Sequence, residues 1–259
     1  MHFGRDKITA RRNATACAVA FAFACTHQRA PVFTGRLPPP AFMDYIVGIL
    51  PQLLQGASVT LKLFFITLAL AVPLGLALAL MRVSGVKALD WAVNAYIWLM
   101  RGTPLMLQML FIYYALPFLP GLPIKLPDFP AAILAFTLNY AAYFAEIFRA
   151  GIQSVDRGQY EASKVLGMSY GQTMQRIVLP QMVRRVLPPL SNETITLVKD
   201  TSLIYVLALN DLLRAARGLV QRDFNITPFV VAAAFYLLMT LVLTYCFQRL
   251  EKRYALHDQ

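Results

Sequence analysis

Four stretches free of Asp, Glu, Lys and Arg constrain this chain more than any other feature: Leu63–Met81, Gly102–Ile124, Phe129–Ala145 and Phe229–Phe247. A helix crosses hydrocarbon with about 20 such residues, and roughly 17 is the lower limit. A fifth stretch, Val186–Leu207, is apolar in outline but carries Glu193, Lys199 and Asp200. The pattern predicts five spans, at about 58–81, 93–118, 129–151, 184–207 and 228–249. With 58% hydrophobic and only 14% charged residues, the balance is not that of a soluble domain. The expected class is an all-α polytopic membrane protein.

The placement of Lys and Arg orients those spans. If the segment after Met43 starts outside, the inner loops and tail hold Arg82, Lys87, Arg149, Arg157, Lys164, Arg176, Arg184, Arg185, Arg249, Lys252 and Arg253. The outer segments hold Lys125, Arg214, Arg217 and Arg222. Eleven against four puts the N-terminus of the chain from Met43 outside and the C-terminus inside. The net charge of +11 is then largely a topology signal. A nucleic-acid partner would want a continuous basic face with interleaved aromatics on a soluble domain, and none is seen.

One inner loop has an internal design. Gly158–Pro180, GQYEASKVLGMSYGQTMQRIVLP, reads as two short helices joined by a tight turn. Gly167 sits where the first helix needs a residue tolerant of a left-handed backbone. Ser169 and Gln172 have capping-box spacing for the second. Pro180 is expected to close the unit, since it cannot donate a helical hydrogen bond. A capped helix–turn–helix of mixed charge on the cytoplasmic side points to a partner that receives it.

Catalysis finds no support. Gly167–Met168–Ser169–Tyr170–Gly171 matches the G-x-S-x-G nucleophile string, but that string works on a strand-to-helix turn with a histidine in reach. The three histidines, His2, His27 and His257, all lie near the termini. No H-E-x-x-H or G-x-x-x-x-G-K-[ST] pattern occurs. Cys17, Cys25 and Cys246 make neither a pairing framework nor a metal spacing. No catalytic residue, metal ligand or directly bound cofactor is expected, and any energy source must lie in another polypeptide.

Residues 1–42 break the pattern. Arg5, Lys7, Arg11, Arg12, Arg29 and Arg36 stand against Asp6 alone, and the apolar run Ala14–Cys25 is too short to span. The expectation is a mis-assigned start or a disordered extension, with the functional protein, residues 43–259, beginning at Met43. A targeting peptide with a cleavage site near Ala22–Phe23–Ala24 is the alternative.

The residues also carry a resemblance. Glu161–Ala162–Ser163, then Gly167, then Ile177–Val178–Leu179–Pro180 resembles the EAA motif of permease subunits of ATP-binding cassette importers, with Ser163 where that motif usually has a second Ala. Arg101–Gly102–Thr103–Pro104, Ala141–Glu146 with Arg149–Gly151, and Pro188–Asn192 running into Lys199–Leu203 resemble the polar amino-acid branch of that family. Together the motifs cover residues 44 to about 254, in order. The resemblance implies a type I importer membrane domain in a bacterial plasma (inner) membrane, paired with a second permease subunit, alike or different. A cytoplasmic ATPase subunit would use the ATP, and an extracytoplasmic solute-binding protein would deliver a polar amino acid. It further implies that Gly158, Glu161, Ala162, Ser163, Gly167, Ile177, Leu179 and Pro180 form the ATPase-coupling element. A secondary transporter or channel is the alternative, and it would want internal inverted repeats.

Polar groups at membrane depth mark the expected substrate pathway: Arg101, Thr103, Asn139, Tyr143, Glu146, Asn192, Lys199, Asp200 and Ser202. A zwitterionic amino acid needs a cation for its carboxylate and an anion or carbonyl for its ammonium. These residues could supply both. Equally, Arg101, Glu146, Lys199 and Asp200 could neutralise one another and lock helices together, and the sequence leaves both open.

Overall fold

The computed structural model describes residues 39–118 and 124–255. Most of the 1–42 extension therefore lies outside the described residues. Chain contacts separate Met1–Asp44 from Tyr45–Gln259. The described part of the first unit is helical, and the second unit carries all the packing discussed below.

Among the described residues every regular element is helical. The long helix α1 (Pro39–Val83) keeps Pro51 and Pro73 inside it. Then come α2 (Lys87–Gly102) and α3 (Leu105–Leu110), which runs on through a π-helical turn, Phe111–Ala115, and a 3-10 turn, Leu116–Phe118. The central helix α4 (Asp128–Gln153) leads to the short pair α5 (Arg157–Val165) and α6 (Tyr170–Thr173). A π-helical turn, Met174–Val178, joins α6 to α7 (Leu179–Asp200), and a 3-10 stretch, Thr201–Leu207, follows. A short helix α8 (Leu212–Asp223) precedes the last helix α9 (Thr227–Ala255).

Three of these helices are long and apolar enough to cross a membrane, at Phe42–Val83, Asp128–Gln153 and Thr227–Tyr254. A fourth span is made by α2 and α3 together if the bent pair counts as one. The helix α7 has the length, 22 residues, but its Arg184, Arg185, Glu193, Lys199 and Asp200 give it a composition unlike the others.

Helix α4 is the hub, with 67% of its apolar window buried against 6% for α9. Its Phe136, Tyr140, Phe144 and Phe148 recur every fourth residue and therefore share one face. Their ring centres follow one another at 6.3, 6.1 and 6.5 Å. Between helices in lipid there is little hydrophobic drive, so association rests on close van der Waals contact and interhelical hydrogen bonds. Gly75 of α1 shows that closeness: a Cβ there would lie 2.7 Å from Phe144 Cβ and 3.0 Å from the Ala141 carbonyl oxygen. A second cluster joins Ile49, Leu53 and Ala57 of α1 to Leu212, Ala215, Ala216 and Leu219 of α8 and Ala232 of α9.

Three expectations need correcting. The 93–118 segment is not one continuous helix but two helices bent by 105°. The 184–207 segment is α-helical only to Asp200, then tightens into 3-10. Pro180 does not close the helix–turn–helix. It sits in the first turn of α7, and the chain stays helical from α6 through the π-helical turn into α7, so the second helix of that unit is continuous with it.

Candidate functional site

The bend between α2 and α3 is built by Gly102, Thr103 and Pro104. Proline pushes the residue before it toward extended backbone, and Thr103 has φ −120° and ψ 148°. The break strands carbonyls at the end of α2, and in hydrocarbon each unbonded one would cost several kcal/mol. Side chains take over. Gln108 Nε2 donates to the Met100 carbonyl at 2.8 Å and to Thr103 Oγ1 at 2.6 Å. Asn139 Nδ2 of α4 reaches the same Met100 carbonyl at 3.0 Å and Gln108 Oε1 at 3.0 Å. Thr103 Oγ1 donates back to Leu99 at 2.8 Å. Gln108 was not among the sequence candidates. Its signal was being a polar residue within an otherwise apolar run.

The bend aims Arg101 into a cavity of about 550 Å³. Thr103, Asn139, Tyr143 and Asp200 line that cavity with it, as do Tyr140, Glu193 and Thr196. The Arg101 guanidinium stacks 5.1 Å from the Tyr143 ring centre, a cation–π arrangement. Tyr140 donates to Asp200 Oδ2 at 2.8 Å and so ties α4 to α7. Glu146 and Asn192 line a neighbouring cavity of about 560 Å³, which also touches Arg101, Tyr143 and Glu193. Lys199 and Ser202 line neither cavity. Lys199 is exposed, and Ser202 Oγ donates to the Lys199 carbonyl at 2.8 Å.

The four membrane-depth charges are not paired with one another. Glu146 pairs with Arg82 of α1 at 3.0 Å and with Arg149 one turn along α4. Arg82 also bonds Asp90 of α2 at 3.0 Å. Arg82 thus ties α1 to α4 through Glu146 and to α2 through Asp90. Arg101 keeps its guanidinium on an aromatic face in the cavity.

In the helix–turn–helix, Asp156 Oδ1 accepts from the Gly158 N–H and starts α5. Gly167 has φ +74° and ends the turn. Ser169 and Gln172 form the capping box, with the Ser169 N–H donating to Gln172 Oε1 at 2.9 Å and the Gln172 N–H donating to Ser169 Oγ at 3.3 Å. Ser163 is buried, and its Oγ lies 3.0 Å from the Thr173 hydroxyl that donates to it. A hydroxyl in place of the usual methyl therefore staples α5 to α6. Thr173 is a residue that sequence reasoning missed. Glu161, Ala162 and Pro180 are exposed, while Ile177 and Leu179 are half-buried. Around the turn, Val165, Leu166 and Tyr170 are 88%, 76% and 61% exposed. Three large apolar side chains on a rigid, capped turn form the kind of exposed patch that marks a contact site.

Residues 71–256 match the family described as "Binding-protein-dependent transport system inner membrane component". The chain belongs to this family. It is 36% identical over 210 residues to the arginine transport system permease protein ArtQ of Bacillus subtilis, covering 81% of this chain and 95% of that one. It is 36% identical over 205 residues to the glutamine transport system permease protein GlnP of Escherichia coli, covering 79% and 93%. A crystal structure of an amino acid ABC transporter with histidines superposes with a TM-score of 0.74 at 35% identity, covering 84% of this chain and 99% of that one. As a member of the family the chain is an inner-membrane transport component.

Proposed function

We propose that the chain is the membrane-spanning permease subunit of an ATP-binding cassette importer that carries a polar amino acid inward across a bacterial inner membrane. The observation that carries this reading is the capped cytoplasmic turn around Gly167, with Val165, Leu166 and Tyr170 turned outward. A helix–turn–helix continuous with α7 can pass rigid-body motion from a cytoplasmic ATPase to the helix that bears Glu193 and Asp200. ATP is used by that ATPase, and this chain holds neither nucleotide nor another cofactor. A solute-binding protein delivers cargo outside, and a second permease subunit, identical or not, completes the pathway. The relatives named for arginine and glutamine transport support an amino-acid cargo.

The cavity chemistry fits a zwitterion. Arg101 meets a carboxylate, and Glu193 or Asp200 meets an ammonium, while Asn139, Tyr143 and Thr196 orient the rest. Glu146 and Asn192 line the route beyond, and Lys199 and Ser202 face away from it. Helix α7 serves as the fourth of five spans, with the N-terminus outside and the C-terminus inside. Co-purification tests the assignment. Membranes carrying this chain should retain the cognate ATPase and, in its cargo-loaded state, the binding protein. Uptake that runs on an ion gradient with no ATPase present would replace this reading with a secondary transporter.

A further inference from the structure

The outer segments hold only four basic residues, and three of them line one cavity. The amphipathic helix α8 buries Leu212, Ala215, Ala216 and Leu219 and turns Arg214, Arg217 and Arg222 toward a space of about 530 Å³, shared with Gln55 of α1 and Asn210. No carboxylate lines this cavity. Arg222 is held by Asp223 at 2.6 Å, and Arg217 is stacked 4.9 Å from the Tyr205 ring centre. Among the described residues Arg214 and Arg217 form no ion pair. Cations are disfavoured in outer segments, so this clustering is not a topology signal. An aromatic shelf leaves the edge of a guanidinium free to bind a carboxylate in two-pronged fashion.

We propose that this cavity receives acidic side chains of the solute-binding protein, so that Arg214 and Arg217 of α8 dock the delivery partner. The proposal rests on the importer reading above, which places α8 outside and names that partner. The family's description as binding-protein-dependent favours a protein over a lipid headgroup as the source of the anion. Gly218 offers a direct probe, because a Cβ there meets nothing within 4 Å. Gly218→Glu would lay a carboxylate among the arginines without displacing anything, in a helix where replacing Gly is itself favourable.

The test uses the permease–ATPase complex in vesicles of phosphatidylcholine alone and of phosphatidylcholine with phosphatidylglycerol, and titrates the loaded binding protein. The expected result is affinity that weakens with salt and falls about tenfold or more in Arg214→Glu with Arg217→Glu. Gly218→Glu should fall in the same way and Gly218→Ala should not, in both vesicle types. Equal affinity in wild type and both acidic variants would overturn the proposal. So would a loss confined to vesicles with the anionic lipid, which would assign the cavity to a headgroup. ATPase retained on the same vesicles separates these outcomes from failure of the importer reading, in which wild type itself holds no ATPase.

Discussion

Arg82 at the end of α1 and Glu146 in α4 stand 3.0 Å apart, 64 positions distant in sequence. Their bond joins α1 to α4, and Glu146 also holds Arg149 while Arg82 also holds Asp90 of α2. Opposite it along α4, Tyr140 holds Asp200. Tyr140 and Asp200 line one of the two cavities beside Arg101, and Glu146 lines the other.

Removing one partner from the Arg82–Glu146 pair leaves a charge without its counterpart. Both side chains are mostly shielded, at 15% and 27% exposure, so the cost falls below that of a fully buried pair. Arg82→Gln and Glu146→Gln should show a coupling of about 1–2 kcal/mol in a double-mutant cycle, read by thermal unfolding in detergent. Strict additivity would mean that the bond contributes nothing to the bundle.

Asn139 and Gln108 share the Met100 carbonyl freed by the bend. Asn139→Leu should destabilise by about 1–3 kcal/mol through a buried acceptor left short of donors, and it should also lower uptake by loosening the bend that aims Arg101. Asn139→Gln, longer by one methylene, should recover only part of either loss. Normal melting and normal uptake by the leucine variant would remove the bend from the mechanism.

Asp211 caps α8 through the N–H groups of Leu213 and Arg214. Burial pushes its carboxyl above the usual range, and the backbone donors only partly oppose the rise. The folded state therefore binds this proton more tightly than the unfolded chain does. As pH falls from neutral through the raised value, this group adds stability, and the ionised form gives that up as pH rises again. Asp211→Asn should keep the cap and abolish the gain in acid. Asp211→Ala should lose about 1 kcal/mol at neutral pH. Melting temperature against pH for the three proteins reads the difference.

Gly167 lies at φ +74° with open space around it. Gly167→Leu meets a backbone penalty of roughly 1–2 kcal/mol and projects a side chain into the open space a docked ATPase would fill, so ATPase retention on membranes should fall sharply. Ser169→Ala loses only a cap, about 1 kcal/mol, and should retain most of the ATPase. Full retention and full uptake by Gly167→Leu would take the coupling role away from this turn.

The parts of this fold governed by local chemistry were readable in advance. The left-handed Gly167 and the Ser169–Gln172 box each depend on residues within a turn of one another. The 105° bend at Gly102–Pro104 was hidden inside an expected single span, because its angle depends on Asn139 reaching across from another helix. Helix α8 carried its signal in Asp211 and the spacing of Leu212, Ala215, Ala216 and Leu219, though a loop between spans drew no expectation of structure. The pairing of Glu146 with Arg82 rather than with Arg101 or Lys199 was beyond reach, since charge signs alone do not say which helix ends meet.

As the proposed importer permease, this chain should move cargo only when an ATPase drives it and a binding protein feeds it. The direct measurement is uptake of labelled amino acid into proteoliposomes holding the permease, with the ATPase, ATP and binding protein each omitted in turn. The account predicts accumulation with all components and background levels when any one is missing. Accumulation by the permease alone would contradict it.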